Sequence, residues 1–408
     1  MRCELPSGAI LQSVTPCTAM GSPGFAAAVS STRAGRVRGW LSGLKLGDGR
    51  SRRWLPLLLL LLGGLAMALT PPGAAAADAQ VVSHSGPCNA STALALGGGL
   101  FVVADDEETA PVTLRIYRSG QAGPALGEGT IPKRAVAPVD DGYPELDLEA
   151  SARIGPLAYW IGSHGAAEAQ GKRDKGDGPL GAPRPNHHRL FATNLGVQAG
   201  AEGTRIALTL EPVGRPYTSL IEDLAADPRH ARFELAEAAR RPAKAKGGLN
   251  IEGLASTPTG GLLIGFRNPL PQGKALLLTL TNPNAVIAGE KARFGDPVLL
   301  DLGGLGIRSL EWVKGQLLIV AGPAEGSKGK TPSSVLYRWS GQASQAAERL
   351  RTFGPVEGGP LNPEGLFEDG DSLVVISDDG KLERNGKACE DRPKAKQGFR
   401  EIRLMPLP

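Results

Sequence analysis

From about residue 80 onward the chain alternates short apolar runs of Leu, Val and Ile with turn residues, chiefly Gly, Pro, Asn and Asp. Such spacing predicts many short strands joined by tight connections. Helical periodicity is confined to Ser219–Arg241, where Leu220, Ile221, Leu224, Phe233, Leu235 and Ala236 predict a short helical insertion near residues 219–241. The fold class is therefore all-β.

One phrase recurs within this pattern. Leu249-Asn-Ile-Glu-Gly-Leu254 and Leu361-Asn-Pro-Glu-Gly-Leu366 are near copies, with a worn third at Leu146-Asp-Leu-Glu-Ala-Ser151. Each precedes an apolar strand, and alignment on that strand adds two weaker copies centred on Ser91 and Arg308. The equivalent positions, Ser91, Glu149, Glu252, Arg308 and Glu364, are separated by 58, 103, 56 and 56 residues. Repetition at this length marks a solenoid or propeller. The interval of 103 is nearly two periods, and it predicts a divergent sixth unit between Glu149 and Glu252 with Thr204–Leu210 as one strand. Third strands recur at Val112–Tyr117, His188–Thr193, Ala275–Leu280 and Ser334–Trp339. The expected fold is a six-bladed β-propeller forming a single domain over residues 80–408, with five or seven blades or a two-sheet sandwich as alternatives.

The first part of the chain reads differently. Arg50–Trp54 is a positive segment, Leu55–Leu69 an apolar run, and Pro71–Ala79 a small-residue stretch with cleavage positions after Ala77 or Ala79. Together, residues 50–79 have the form of a secretory signal peptide, and residues 1–49 that of a long leader or a mis-assigned start. The apolar run is shorter than the roughly twenty residues that cross a bilayer, so no membrane span is expected after its removal. An uncleaved anchor is the less favoured alternative. The expected location is periplasmic or secreted.

Setting residues 1–77 aside changes the charge. The whole chain holds 45 Lys and Arg against 41 Asp and Glu, and removing eight bases and two acids leaves 37 against 39. The mature domain is near neutral, which gives no support for nucleic-acid binding. Of four cysteines, only Cys88 and Cys389 remain in the mature part. In an oxidising compartment such a pair is expected to form a disulfide, the alternative being two free thiols.

In a propeller the first strand of each blade lies nearest the axis, so Ser91, Glu149, Glu252, Arg308 and Glu364 form a ring. A second polar set, Asp105, His164, Arg267, Gly322 and Asp378, follows fourteen or fifteen residues later, where second strands end. Glu149, Glu252 and Glu364 are candidate oxygen ligands for a divalent cation such as calcium. Arg267, Arg308, His164, Arg189 and Lys274 are candidate contacts for an anionic ligand. The competing reading is structural: each repeated Glu accepts backbone N–H groups and braces the ring. Ala324–Thr331 matches a loose phosphate-loop pattern, but Pro332 and a strand follow where a helix is required, so it reads as a hairpin loop. His187-His188 lacks partners at metal-ligand spacing.

Five phrases, Tyr159–Gly165, Arg184–Phe191, Asn250–Leu254, Leu263–Leu270 and Leu302–Ser309, together resemble the bacterial "domain of unknown function 3616" family over nearly the whole mature chain. The resemblance implies a propeller-like domain and no established activity. More distantly, the Glu-Gly pairs are similar to those of gluconolactonase-type and phytase-like propellers, where a channel-mouth Glu helps to hold a metal. Two functions follow as expectations: a monomeric exported protein that binds a small anionic ligand or protein partner at the channel mouth, or a metal-assisted hydrolase of phosphoesters or lactones.

Overall fold

A computed structural model describes residues 78–140, 142–168, 180–199, 205–325 and 333–405. The expected leader and nearly all of the signal segment, residues 1–77, lie outside the described residues, as do residues 326–332 of the phosphate-loop-like stretch.

The N-terminal strand β1 (Asp78–Ser85) precedes a first blade of β2 (Ala90–Gly97), β3 (Leu100–Asp105), β4 (Val112–Arg118) and, after the two-residue β5 (Gly123–Pro124), β6 (Gly127–Ile131). The second blade holds β7 (Leu148–Ile154), β8 (Leu157–Gly162), β9 (Leu190–Ala199) and β10 (Ile206–Tyr217). The third holds β11 (Asn250–Ser256), β12 (Leu262–Asn268), β13 (Ala275–Leu280) and β14 (Val298–Leu300). The fourth holds β15 (Gly306–Val313), β16 (Gln316–Gly322), β17 (Val335–Trp339) and β18 (Glu348–Thr352). The last blade combines β19 (Pro363–Asp369), β20 (Ser372–Ser377) and β21 (Gly398–Met405) with β1, which pairs antiparallel along the whole of β21. β6 and β10 pair in parallel through two residues each, so the first two blades share one eight-stranded sheet that nearly closes on itself.

The described residues thus form five four-stranded units. Their first strands follow one another round a ring, β2 beside β7, β7 beside β11, β11 beside β15, β15 beside β19, and β19 back beside β2. Five apolar cores fill the gaps between neighbouring blades, for example Val320, Leu336, Val375 and Ile402 between the fourth and fifth, and Phe101, Tyr117, Phe367 and Phe399 between the fifth and first. The propeller class stands, and the described residues supply five units, the number that the spacing allowed as an alternative to six. No sixth unit occurs among the described residues because the long interval is taken up by other things. Of the stretch Thr204–Leu210, expected as one strand of the hidden unit, residues 206–210 lie instead in β10, the outer partner of β9. The helical insertion, with helices Leu220–Ala226 and Leu235–Ala238, sends Leu220, Ile221, Leu224 and Phe233 into the core between the second and third blades.

The seam is closed twice. β1 completes the last blade, and Cys88, between β1 and β2, is disulfide-bonded to Cys389, between β20 and β21. The strands β16 and β17, on either side of residues 326–332, pair antiparallel. No helix among the described residues is long and apolar enough to cross a membrane.

Candidate functional site at the channel mouth

Each of the five ring residues occupies the same backbone feature. In β2, Ala90 pairs with Asp105 and Thr92 with Ala104, so Ser91 is one residue in excess of the partner strand. Glu149, Glu252, Arg308 and Glu364 are the extra residues of β7, β11, β15 and β19 in the same way. A bulge re-aims the side chain that it carries, and here all five side chains are buried near one mouth of the channel. The glycine after Glu in two copies follows from packing. A Cβ at Gly253 would come 2.7 Å from Ile307 of the next blade, and one at Gly365 would come 3.0 Å from the backbone N of Ala93 and 2.4 Å from Ile376.

Three of the ring positions are joined by charge. Arg267 Nη1 donates to Glu252 Oε1 at 2.7 Å, and its Nε to the carbonyl of Pro323 at 2.9 Å. Arg308, 3% exposed, lies with Nε 3.0 Å from Glu252 Oε2, a close ion pair without hydrogen-bond alignment. Its Nη2 pairs with Glu364 and donates to Asn362 Oδ1 at 3.1 Å. Burial, then the neighbouring Arg267, pulls Arg308 below its ordinary value, opposed by Glu252 and Glu149. Glu252 and Glu364 each also accept a side-chain amide from the Asn two residues earlier, Asn250 at 2.7 Å and Asn362 at 2.9 Å. Asn362 donates in addition to Asp378 Oδ2 at 2.8 Å. For these two glutamates the bracing role is therefore the observed one, with side-chain donors in place of the expected backbone N–H groups.

The worn copy behaves differently. Where the other phrases have Asn, the second blade has Asp147, which offers no donor when ionised. Glu149, 7% exposed, has no hydrogen-bond or ion-pair partner among the described residues. Oxygens of Asp106, Asp147 and Glu149 lie within 4.8 Å of one another, and Asp106 Oδ1 is buried without a partner. Burial pushes Glu149 well above the usual carboxylate range, reinforced by Glu252, Asp147 and Asp106 and opposed by Arg308. Asp106 is raised by burial and by Asp378, Asp147 and Asp105. Beside them, burial lifts Asp105 to about 7, and burial with Asp147 lifts Glu145 to about 7. With every group ionised, six carboxylates (Asp106, Asp147, Glu149, Glu252, Glu364 and Asp378) face two guanidiniums (Arg267 and Arg308), an excess of four negative charges.

The remaining candidates lie elsewhere in this network or outside it. His164 is fully buried at the end of the second strand, with Nδ1 2.9 Å from the carbonyl of Gly162, so that nitrogen carries the proton and Nε2 is left without a partner among the described residues. Burial and the neighbouring His188, whose ring is tilted against it, lower its pKa to about 3. His187 sits 3.2 Å from Asp147, which ties the His pair to the mouth although sequence spacing gave no sign of it. Arg189 directs its donors to backbone carbonyls, including those of Val136 at 2.9 Å and His188 at 3.0 Å, and Lys274 is exposed. A cleft of about 910 Å³ lies beside the helical insertion, lined by Ile221, His188 and Arg189 among others.

A family model described as a protein of unknown function, DUF3616, matches residues 91–357. The chain belongs to the DUF3616 family. A search of curated proteins finds no match. Among solved structures, this DUF3616 chain is similar to an oxidoreductase (glucose dehydrogenase) from Thermus thermophilus, at 16% identity and a TM-score of 0.36 over 80% of this chain and 100% of that one. It is similar to Myxococcus xanthus glutaminyl cyclase at 13% identity and a TM-score of 0.34, over 81% of this chain and 97% of that one. It is also similar to Trypanosoma rangeli sialidase at 10% identity and a TM-score of 0.39, over 77% of this chain but 54% of the sialidase. The propeller assignment for this DUF3616 protein rests on its own ring of strands.

Of the expected metal ligands, the structure sets Glu149 beside Asp106 and Asp147 and couples Glu252 and Glu364 to arginines. Sequence reading did not single out Asp106 or Asp147 as ligands. The available signal was Asp147 itself, the one departure from Asn in an otherwise repeated phrase.

Proposed function

We propose that this exported DUF3616 propeller holds a hard divalent cation of the calcium type at its channel mouth, and through it binds a small anionic ligand. The observation that carries this is the unpartnered, buried Glu149 beside Asp106 and Asp147. An all-oxygen carboxylate set suits calcium, magnesium or manganese better than zinc or copper. A cation would offset the excess negative charge that raises these carboxyls, and would let an anion approach a mouth that otherwise repels it. Arg267, whose Nη2 makes no hydrogen bond among the described residues, is the candidate second contact for a carboxylate or phosphate. Export is supported by the signal-like segment and the Cys88–Cys389 bridge.

Thermal or chemical denaturation with calcium or a chelator tests the site. Free calcium at a hundred times its Kd is expected to stabilise the protein by about 2.7 kcal/mol. Asp147→Asn restores an amide where Asn250 and Asn362 stand, so it is expected to stabilise the metal-free protein while abolishing the calcium response. Absence of any shift with calcium, magnesium or manganese removes the proposal.

A second reading adds catalysis. On this reading Glu145, which burial and then Asp147 raise to about 7, serves as general base for a metal-assisted hydrolase. Turnover of a phosphoester or lactone that needs calcium and falls at least a hundredfold in Glu145→Gln is expected on this reading. A binding protein gives none.

A further inference from the structure

The channel has a second opening. Residues three and four positions beyond the ring on all five inner strands, roughly 10–13 Å further along at 3.3 Å per residue, line a cavity of about 350 Å³. Leu94, Ala152, Ala255 and Phe367 make its wall apolar, and the fifth equivalent position is Glu311. Glu311 has no hydrogen-bond or ion-pair partner among the described residues, and the indole N–H of Trp312 beside it also lacks one. Glu368 of β19 faces the same space. Arg153 of β7 lines it too, but its Nε is engaged 3.1 Å from the carbonyl of Gly155. β2 and β11 contribute no charged group there.

We propose that this lower mouth is a binding site for a small organic cation, an amine or quaternary ammonium on a short stem bearing a hydroxyl or carbonyl oxygen. The ammonium sits between Glu311 and Glu368, the stem lies against Leu94 and Phe367, the ring of Trp312 offers a face to the charge, and its N–H takes the ligand oxygen. Among the described residues Glu311 pairs with no cation, since Arg153, which lines the same cavity, turns to the carbonyl of Gly155, and a carboxyl in such an enclosure is stable when protonated or when a cation is brought to it.

Titration makes the proposal measurable. Burial, then Glu368, raises Glu311 from 4.5 to about 8. At pH 7 the carboxyl is therefore mostly protonated, and a bound cation, by favouring the carboxylate, expels that proton to the buffer. Affinity is expected to rise roughly 50-fold between pH 6 and pH 8, as the ionised fraction grows from about 1% to about one half, and to level off above. Because the folded value lies above the unfolded one, ionising Glu311 costs stability as the pH rises from 4.5 toward about 8. Glu311→Gln is accordingly expected to keep or raise the Tm, which separates loss of binding from loss of fold.

The experiment is calorimetric titration of the purified protein with choline and ethanolamine, in buffers of different ionisation enthalpy. The expected result is binding with release of close to one proton at pH 7. It should weaken at least tenfold in Glu311→Gln, persist in Glu149→Gln at the other mouth, and be absent for choline's uncharged carbon isostere. Equal binding by Glu311→Gln, equal binding of the isostere, no proton release, or no binding of either amine at millimolar concentration would overturn the proposal.

Discussion

Arg308→Ala is expected to cost about 3–5 kcal/mol of unfolding free energy, the range for removing one partner from a buried charge network. The side chain ties together the inner strands of three consecutive blades, reaching Glu252 on β11 and Glu364 on β19 from its own place on β15. Its loss leaves two buried carboxylates supported only by Arg267, Asn250 and Asn362. The deficit should shrink toward pH 5, because the abandoned carboxyls can then take up protons instead of holding uncompensated charge. Arg308→Lys is expected to recover only part of the loss, since one ammonium cannot span both partners in the way a guanidinium fork does. Urea denaturation of both variants at pH 7 and pH 5 reads this directly. A loss under about 1 kcal/mol, typical of surface pairs, would mean that the ring is not held by its charges.

Breaking the Cys88–Cys389 bridge has an expected effect of comparable or greater size. The two residues are 301 apart in sequence, and a loop of that length gives about 5–6 kcal/mol in the chain-entropy treatment, an upper figure. Locally, the bridge anchors the start of β2 to the last blade, whose outer strand is the N-terminal β1. Without it the eight residue pairs between β1 and β21 have to hold the ends together alone. Cys88→Ser is expected to lower the denaturation midpoint markedly, and wild-type protein in reductant should match it. The exported protein without residues 1–77, denatured, should yield no thiol before reduction and two after it. Indistinguishable stability with and without reductant would sink this account of the seam.

Much of the architecture was legible because it is written in repeats. The Asn-x-Glu-Gly phrase located two inner strands and its relatives located the other three, and each proposed third strand became the third strand of a blade. Blade number was not legible, since spacing counts residues and not strands. The interval between Glu149 and Glu252 is filled by β9 and β10, of 10 and 12 residues, and by helices that pack between blades rather than starting one. At the mouth, Glu252, Arg308, Glu364 and Arg267 were singled out by the repeat, but their mutual pairing crosses blade boundaries that no local pattern encodes. Arg189 and Lys274 were selected for charge, and charge does not reveal whether donors turn to carbonyls, as in Arg189, or to solvent, as in Lys274. Glu311 and Glu368 lie 57 positions apart and meet only because the fourth and fifth blades adjoin.

The five bulges bear on how such a protein can change over time. A residue that stands outside the strand ladder can be exchanged without shifting register, so the scaffold does not object to serine, glutamate or arginine at the same place. Ser91, Glu149, Glu252, Arg308 and Glu364 show three of those choices already made within one molecule. The ring is thus a set of five sockets on a constant backbone frame, three of them now coupled through their charges. Relatives with the same blades are free to differ in what their mouths hold, so shared architecture in this family does not require shared chemistry.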